Sequence, residues 1–248
     1  MPKSEIKTLE SHWEAWAQTD PLFAVLTWPD ARGGKWNQDD FFHTGLHEIE
    51  ELMVNLRKLG IEVERNRALD FGCGVGRLSQ ALSQQFRAVV GVDISSTMIA
   101  LSRQFDRSEG RCTFVQNCAE DLSVLGESGF DLVYTNIVLQ HIYPSAQKRY
   151  IAEFLRILNP GGVAVFQIPE RRLAYTVSDL IVPIRDALRF VVNLMFGKVA
   201  WPKMEMNCLP ESDVRQIVDA AGAKLIATEE MAWGRPVWRS LRYYVKRV

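Results

Sequence analysis

Between Ala68 and Leu82 the chain reads ALDFGCGVGRLSQAL. An apolar run carries Asp70, glycines follow at 72, 74 and 76, and a helical pattern starts at Arg77. Glycine tolerates positive φ and lets a ligand approach the backbone, while the helix behind it presents free N–H groups. Such a turn suits a nucleotide-like ligand, although a plain tight turn or another nucleotide fold uses the same letters. More polar residues stand at comparable places downstream. Asp93 closes the run AVVGVD, where a carboxylate accepts hydrogen bonds from ribose hydroxyls; read alone, it is equally a helix cap. Cys118, Ala119 and Glu120 follow CTFVQN, Asn136 and Ile137 follow FDLVYT, His141 comes soon after, and Glu170 follows VAVFQIP.

Placing these residues requires an alternating chain. From Arg67 the sequence predicts strands at RALDFG, AVVGVD, CTFVQN, FDLVYTNIV and VAVFQIP. Helices are predicted between them at GRLSQALSQQF, SSTMIALSRQF (capped by Ser95 or Ser96) and SAQKRYIAEFLRILN, with a turn at Pro160-Gly161-Gly162. Near-continuous apolar strands alternating with helices imply an α/β, doubly wound parallel sheet covered on both faces. Functional residues then belong just after the strands, at their carboxyl ends. Residues 1–66 read as an N-terminal helical cap, its second helix burying Leu46, Ile49, Leu52, Met53, Leu56 and Leu59. Residues 67–248 form the main domain, interrupted by an insert at about 171–207 whose part 171–201 is mainly helical. PESDVRQIVDAAG is a further helix, and AKLIATEEMAW and RSLRYYVKRV are two strands that pair antiparallel across a turn with Gly234 and Pro236.

LDFGCGVGRLS, VVGVDIS, FVQNCAEDL, FDLVYTNIVLQHI and LRILNPGGVAVFQIP resemble, in order, the motifs of class I S-adenosylmethionine-dependent methyltransferases. The resemblance spans about Arg67–Pro169, and the final helix and strand pair extend it to the C-terminus. It implies a Rossmann-like seven-stranded sheet with an antiparallel last strand, S-adenosylmethionine as cofactor and S-adenosylhomocysteine as product. Asp70 inside the first motif and NPGG before the fifth strand separate it from a dehydrogenase. Carried over residue by residue, it assigns Asp70, Gly72, Gly74 and Gly76 to the methionine pocket, with backbone from Cys73 and Val75. Asp93 takes the ribose, Ile94 the adenine face, Ala119 and Glu120 the adenine edge, and Asn136 and Ile137 the amino group. Arg77 is a candidate for the carboxylate, or else a solvated first-turn arginine. Cys118 departs from the aspartate many relatives carry there, and a thiol is a weak hydrogen-bond partner. A cover over the cofactor is expected from Phe41, Phe42 and Thr44, with a helix staple as the alternative. Trp13, Trp16, Trp28 and Trp36 read as packing residues.

Methyl transfer from a sulfonium is an in-line displacement that rests mainly on positioning. A hydroxyl acceptor also needs a base. His141 is the first candidate and Glu170 the second; the alternatives are a structural histidine and a solvated loop carboxylate. No Asp/Glu/His cluster suggests a metal, and TNIV lacks the prolines expected for methylation of nucleic acid bases. The insert keeps helical spacing at Val177, Leu180, Ile181, Ile184, Leu188, Val191, Val192 and Met195, flanked by arginines and lysines. It reads as a packed cap or homodimer face, or as a lid over an apolar or amphipathic acceptor, with residues 171–201 able to lie on a membrane surface. The expected function is methylation of a small-molecule acceptor, by preference on oxygen. N- or C-methylation, a lipid-like, quinone or sugar acceptor, and a silent cofactor-binding protein stay open.

Composition agrees with this class. The 248 residues are 47% hydrophobic and 24% charged, and the net charge of −1 favours no polyanionic partner, so nucleic acid is not expected. The four cysteines form no CxxC pair, which fits a reduced cytoplasmic protein, and the first residues lack the apolar run of a signal peptide.

Overall fold

Seven strands pair into one sheet, the central ones built from near-continuous apolar runs. The seven are β1 (Arg67–Phe71), β2 (Ala88–Asp93), β3 (Cys112–Gln116), β4 (Phe130–Thr135), β5 (Leu158–Arg172), β6 (Lys224–Met231) and β7 (Trp238–Lys246). In this computed structural model residues 5–126, 129–175, 182–197, 199, 202–232 and 237–248 are described. The strand order is β3-β2-β1-β4-β5-β7-β6. The first five strands are parallel, and β7 runs antiparallel to both β5 and β6. The order reverses beside β1, so the crevice for a ligand opens at the carboxyl ends of β1, β2 and β4.

Both faces are covered, as the unbroken burial of β4 requires. Leu69, Phe71, Val133 and Phe166 pack with Tyr150 and Phe154 of α6 (Pro144–Ile157) and Val214 of α8 (Glu211–Ala220). On the other face Ala68, Leu132 and Val165 meet Ile49, Leu52 and Leu56 of α3 (Gln38–Lys58) and Leu78 and Leu82 of α4 (Arg77–Leu82). A third cluster joins Ala17 of α1 (Glu5–Thr19), Ala24 of α2 (Pro21–Val25), Phe41, Val75 and Met98 of α5 (Ser96–Phe105). Asn37 caps α3 through the N–H groups of Asp39 and Asp40, which starts that helix before the predicted Phe41. Ser95 is the cap of α5, and Leu59 lies exposed at the end of α3.

Several expectations change. Asn136–Val138 leave the sheet, and Ile137 takes φ +56, a strained value for a β-branched residue. Gln167 Oε1 holds its N–H at 3.0 Å. The turn at Pro160–Gly162 is an irregularity within β5 rather than its start: Leu158 pairs with Phe130, then Val163 with Leu132. Gly161, at φ +80, donates its N–H to Arg247 O. Arg171 and Arg172 extend β5 because β7 is long enough to pair with them, and among the described residues the insert's helix is α7 (Val182–Phe196). Val177, Leu180, Ile181, Gly234 and Pro236 lie outside the described residues.

The polarity of α7 is reversed. Asp186, Arg189 and Asn193 are half-buried, and Asp186 pairs with Arg189 (2.7 Å) and Lys203 (3.6 Å). Ile184, Leu188, Phe190, Val191, Leu194 and Met195 face outward, Ile184, Leu194 and Met195 with over 70% of their surface exposed. Among the described residues no helix is long and apolar enough to cross a membrane.

Candidate active site

The glycine turn is tied to β2 as well as leading into α4. Gly72 and Cys73 donate their N–H groups to Val92 O at 2.7 and 3.0 Å. Gly74 donates to Asp93 Oδ2 and Ser95 to Asp93 Oδ1, each at 2.9 Å, so one carboxylate joins the two loops. Burial pushes the Asp93 carboxyl up, against these N–H donors. Two glycines are sterically required. Gly72 has φ +75, and a Cβ there would lie 2.4 Å from Val138 Cγ1; Gly74 has φ +52, and a Cβ would lie 2.5 Å from Val25 Cγ2.

The turn floors a cleft enclosing about 890 Å³, its open mouth included. Of the residues expected from sequence, Gly72, Cys73, Gly74, Arg77, Asp93, Ile94, Asn136, Ile137 and His141 line it together. Asp70 and Gly76 lie beneath. Asp70 is fully buried, takes a 2.6 Å hydrogen bond from Ser79 Oγ and so fastens β1 to α4; burial pushes its pKa up to about 7. Gly76 is the left-handed N-cap of α4.

Three expected residues point elsewhere. Glu120 is held by Arg149 at 2.5 Å and by the Tyr143 hydroxyl. Glu170 is held by Arg239 at 2.8 Å and by Arg171, away from the cleft, because β7 places a cation beside it. Cys118 is exposed, its Sγ near Gln116 and Ile94 O. Ala119 is likewise absent from the lining and accepts from Tyr150 with its carbonyl; Asn117, one residue before Cys118, lines the cleft.

The cover comes from α1 and α2, not from residues 39–45. Ile6, Leu9 and Trp13 of α1 and Ala24 and Val25 of α2 form the roof. Phe41 is fully buried between Trp36 and Phe42, and Thr44 bonds Phe41 O and Arg77, so these residues staple α3. Glu14 fastens the roof by accepting from Ser95 Oγ at 2.6 Å, Thr97 N at 3.2 Å and the Thr97 hydroxyl. Trp13, expected only to pack, meets the His141 ring edge-on at 5.1 Å.

His141 sits at one side of the cleft. Its Nδ1 lies 2.6 Å from Glu205 O, which can only accept, so Nδ1 carries the proton and Nε2 the lone pair. Gln140 Nε2 donates to that Nε2 at 3.1 Å. Burial lowers the His141 pKa to about 4, only partly opposed by the carbonyl. The imidazole is therefore neutral at pH 7.

A residue that sequence reading passed over lies behind the wall. Glu48 of α3 accepts from Arg77, the Tyr134 hydroxyl and Asn136 Nδ2, each at 2.8 Å. The signal for it is Gly45, a glycine inside a helix: a Cβ there would lie 2.6 Å from Arg77 O, so α3 and α4 touch by backbone at that point.

The sheet order, the glycine turn after β1 and the acid closing β2 define a class I S-adenosylmethionine-dependent methyltransferase fold. Known proteins agree. A family profile described as "Methyltransferase domain" matches residues 69–166. An uncharacterised methyltransferase of Synechocystis is 35% identical over 172 residues, 68% of this chain and 71% of its own length. A ubiquinone biosynthesis O-methyltransferase of Methylococcus capsulatus is 28% identical over 145 residues, 58% of this chain, and this chain spans 60% of its length. The crystal structure of magnesium protoporphyrin IX methyltransferase from Synechocystis, with bound S-adenosylhomocysteine, shares the fold at a TM-score of 0.63 and 19% identity, covering 98% of this chain and all of that one. The chain belongs to the S-adenosylmethionine-dependent methyltransferases.

The cleft fits that cofactor. Among the buried polar atoms without a partner are Arg77 Nε and Asn136 Oδ1, a donor and an acceptor on residues that line one cleft. The glycines leave room for close approach, and Ile94 and Met98 offer an apolar wall for a base.

Proposed function

We propose that this methyltransferase acts on a hydroxyl of an apolar small molecule, with His141 receiving the proton. The observation that carries the reading is the locked tautomer of His141 inside the cofactor cleft: Nδ1–H is spent on Glu205 O, and Nε2 is the basic atom. S-adenosylmethionine, when bound, supplies an electrophilic methyl group whose departure leaves a neutral thioether. On this reading Asp93 accepts from ribose hydroxyls, Ile94 and Met98 flank the adenine, and Arg77 and Asn136 meet the methionine end, supported by their joint presence in the cleft lining. Roof residues Ile6, Leu9 and Trp13 exclude water.

A hydroxyl that attacks a methyl group becomes strongly acidic as the C–O bond forms, so a weak base suffices. A neutral imidazole with pKa about 4 meets that need, with Gln140 releasing Nε2 as the acceptor arrives. The lining is mostly apolar, which supports an apolar acceptor, and the relatives named as ubiquinone biosynthesis O-methyltransferases support oxygen as the target atom.

The test is His141→Gln assayed against a panel of phenols and hydroquinones. The variant should bind S-adenosylhomocysteine like the parent while kcat falls roughly 10²–10⁴-fold. An unchanged kcat refutes the role of His141, and turnover confined to amines refutes the choice of oxygen.

Helix α7 supports a lipid surface as the source of the acceptor. Ile184, Leu188, Phe190, Val191, Leu194 and Met195 cover roughly 160° of the helix at about 100° per residue, wider than a two-row helix seam, and Phe196 is exposed at the helix end. No acid lies within that sector; exposed Arg185 lies about 60° beyond one edge and Asp186 about 40° beyond the other. Lys203 links α7 to the cleft: its side chain pairs with Asp186, and its N–H reaches His12 Nδ1 on α1 at 3.1 Å.

A further inference from the structure

We infer that Glu48 is a positioning residue for the methionine end of the cofactor, acting through Arg77 and Asn136. The inference rests on the cofactor cleft described above and adds a residue that does not itself line it.

The geometry leaves each partner one free atom. Asn136 gives its amide nitrogen to Glu48 at 2.8 Å. That fixes which end of the amide is turned away, and the end turned away, Oδ1, is buried without a partner. Arg77 gives one terminal nitrogen to Glu48 at 2.8 Å and the other to Thr44 Oγ1 at 3.3 Å. Nε is then its one nitrogen without a partner, again buried. Buried polar groups are nearly always satisfied, so an unpartnered donor and an unpartnered acceptor on two residues of one cleft mark where a ligand's polar groups bind. An acceptor suits an ammonium, and a guanidinium N–H suits a carboxylate.

Charge supports the same assignment. The Arg77 side chain is 3% exposed and the Glu48 side chain 18%. A lone guanidinium so placed would attract any anion. Paired with Glu48 the wall is neutral overall and carries a donor beside an acceptor, which matches a zwitterion. Burial alone would push the Glu48 carboxyl up; the Arg77 guanidinium and the Tyr134 and Asn136 hydrogen bonds more than reverse it, so Glu48 stays ionised at neutral pH. Gly45 makes the arrangement reachable, since a side chain there would drive α3 off Arg77 and take Glu48 with it.

The competing role is purely structural, with Glu48 fastening α3 to the sheet. The two roles part company with a cofactor fragment. Binding of S-adenosylhomocysteine and of 5′-methylthioadenosine, which lacks the amino acid end, is measured by calorimetry for the parent and for Glu48→Gln. The substitution keeps an acceptor for Tyr134 and Asn136 but turns an amide N–H toward Arg77. S-adenosylhomocysteine should bind roughly 10–100-fold more weakly, the size of a lost hydrogen-bond set on charged groups, while 5′-methylthioadenosine changes by less than about twofold. Equal losses for both ligands, or no loss for either, overturn the inference. If Glu48→Gln does not fold, Tyr134→Phe removes one donor from Glu48 with the loss of a single oxygen atom's volume. The ratio of the two affinities should then shift in the same direction by about threefold, and an unchanged ratio overturns the inference. A parent protein that binds neither ligand would instead defeat the cofactor reading itself.

Discussion

Gly72→Ala is the substitution with the most to say about the glycine turn. A Cβ at Gly72 would sit 2.4, 2.5 and 3.0 Å from Val138 Cγ1, Cγ2 and Cβ, so it strikes a whole isopropyl group that is stiff at χ1. Overpacking of this kind costs about 1–3 kcal/mol, and the left-handed φ of +75 adds about 1–2 kcal/mol. The expected loss of stability is therefore roughly 2–5 kcal/mol. Val138→Ala alone removes two methyl groups from a half-buried position, which costs about 1 kcal/mol. In the double variant the two worst contacts vanish and only the Cβ contact at 3.0 Å and the φ strain remain. A coupling of about 1–3 kcal/mol in the favourable direction should appear in urea-melt double-mutant cycles. Additive costs would refute the steric account and leave backbone strain alone. Because Val138 lies between Asn136 and His141, Gly72→Ala should also weaken S-adenosylhomocysteine, with partial rescue in the double variant.

Acid should weaken the protein through His141. Its folded pKa of about 4 lies below the ordinary value of about 6.5, so between those values the unfolded chain holds more protons and stability falls as the pH drops from about 6.5 toward 4. Burial lowers the pKa of His12 too, and its Nδ1 must stay unprotonated to accept from Lys203 N. Asp70, raised to about 7, acts with the opposite sign. Urea midpoints at several pH values in His141→Gln against the parent isolate the histidine: the variant should lose less stability on acidification, and equal slopes would contradict the assignment. For α7, vesicles of phosphatidylglycerol should retain the protein, and Leu188→Glu with Leu194→Glu should release it while cofactor affinity stays unchanged; retention of that variant, or dimers formed without lipid, would refute the lipid surface.

The strands and the residues at their ends were legible because they are local. Asp93 and the glycines announce themselves by type and by position after an apolar run, and the structure brings them within hydrogen-bond distance. The wall behind them was not legible. Glu48 meets Arg77, Tyr134 and Asn136 at separations of 29, 86 and 88 residues, and helical spacing speaks only of neighbours three or four apart. Glu170 looked free because its neutralising cation, Arg239, comes from a strand 69 residues later. The roof failed differently. Ile6, Leu9 and Trp13 form an ordinary helical stripe, and periodicity says that a face is covered without saying by what. For α7 the usual inference inverted, since its polar side turns to the protein.

One titration tests the central claim that the cleft between the glycine turn and α1 holds the cofactor. S-adenosylhomocysteine is titrated calorimetrically into the parent and into Asp93→Ala. The parent should show one site per chain, and the variant an affinity lower by about 1–3 kcal/mol from the loss of hydrogen bonds to a charged group. Binding of equal strength in the two proteins, with Asp93→Ala still folded, would contradict it.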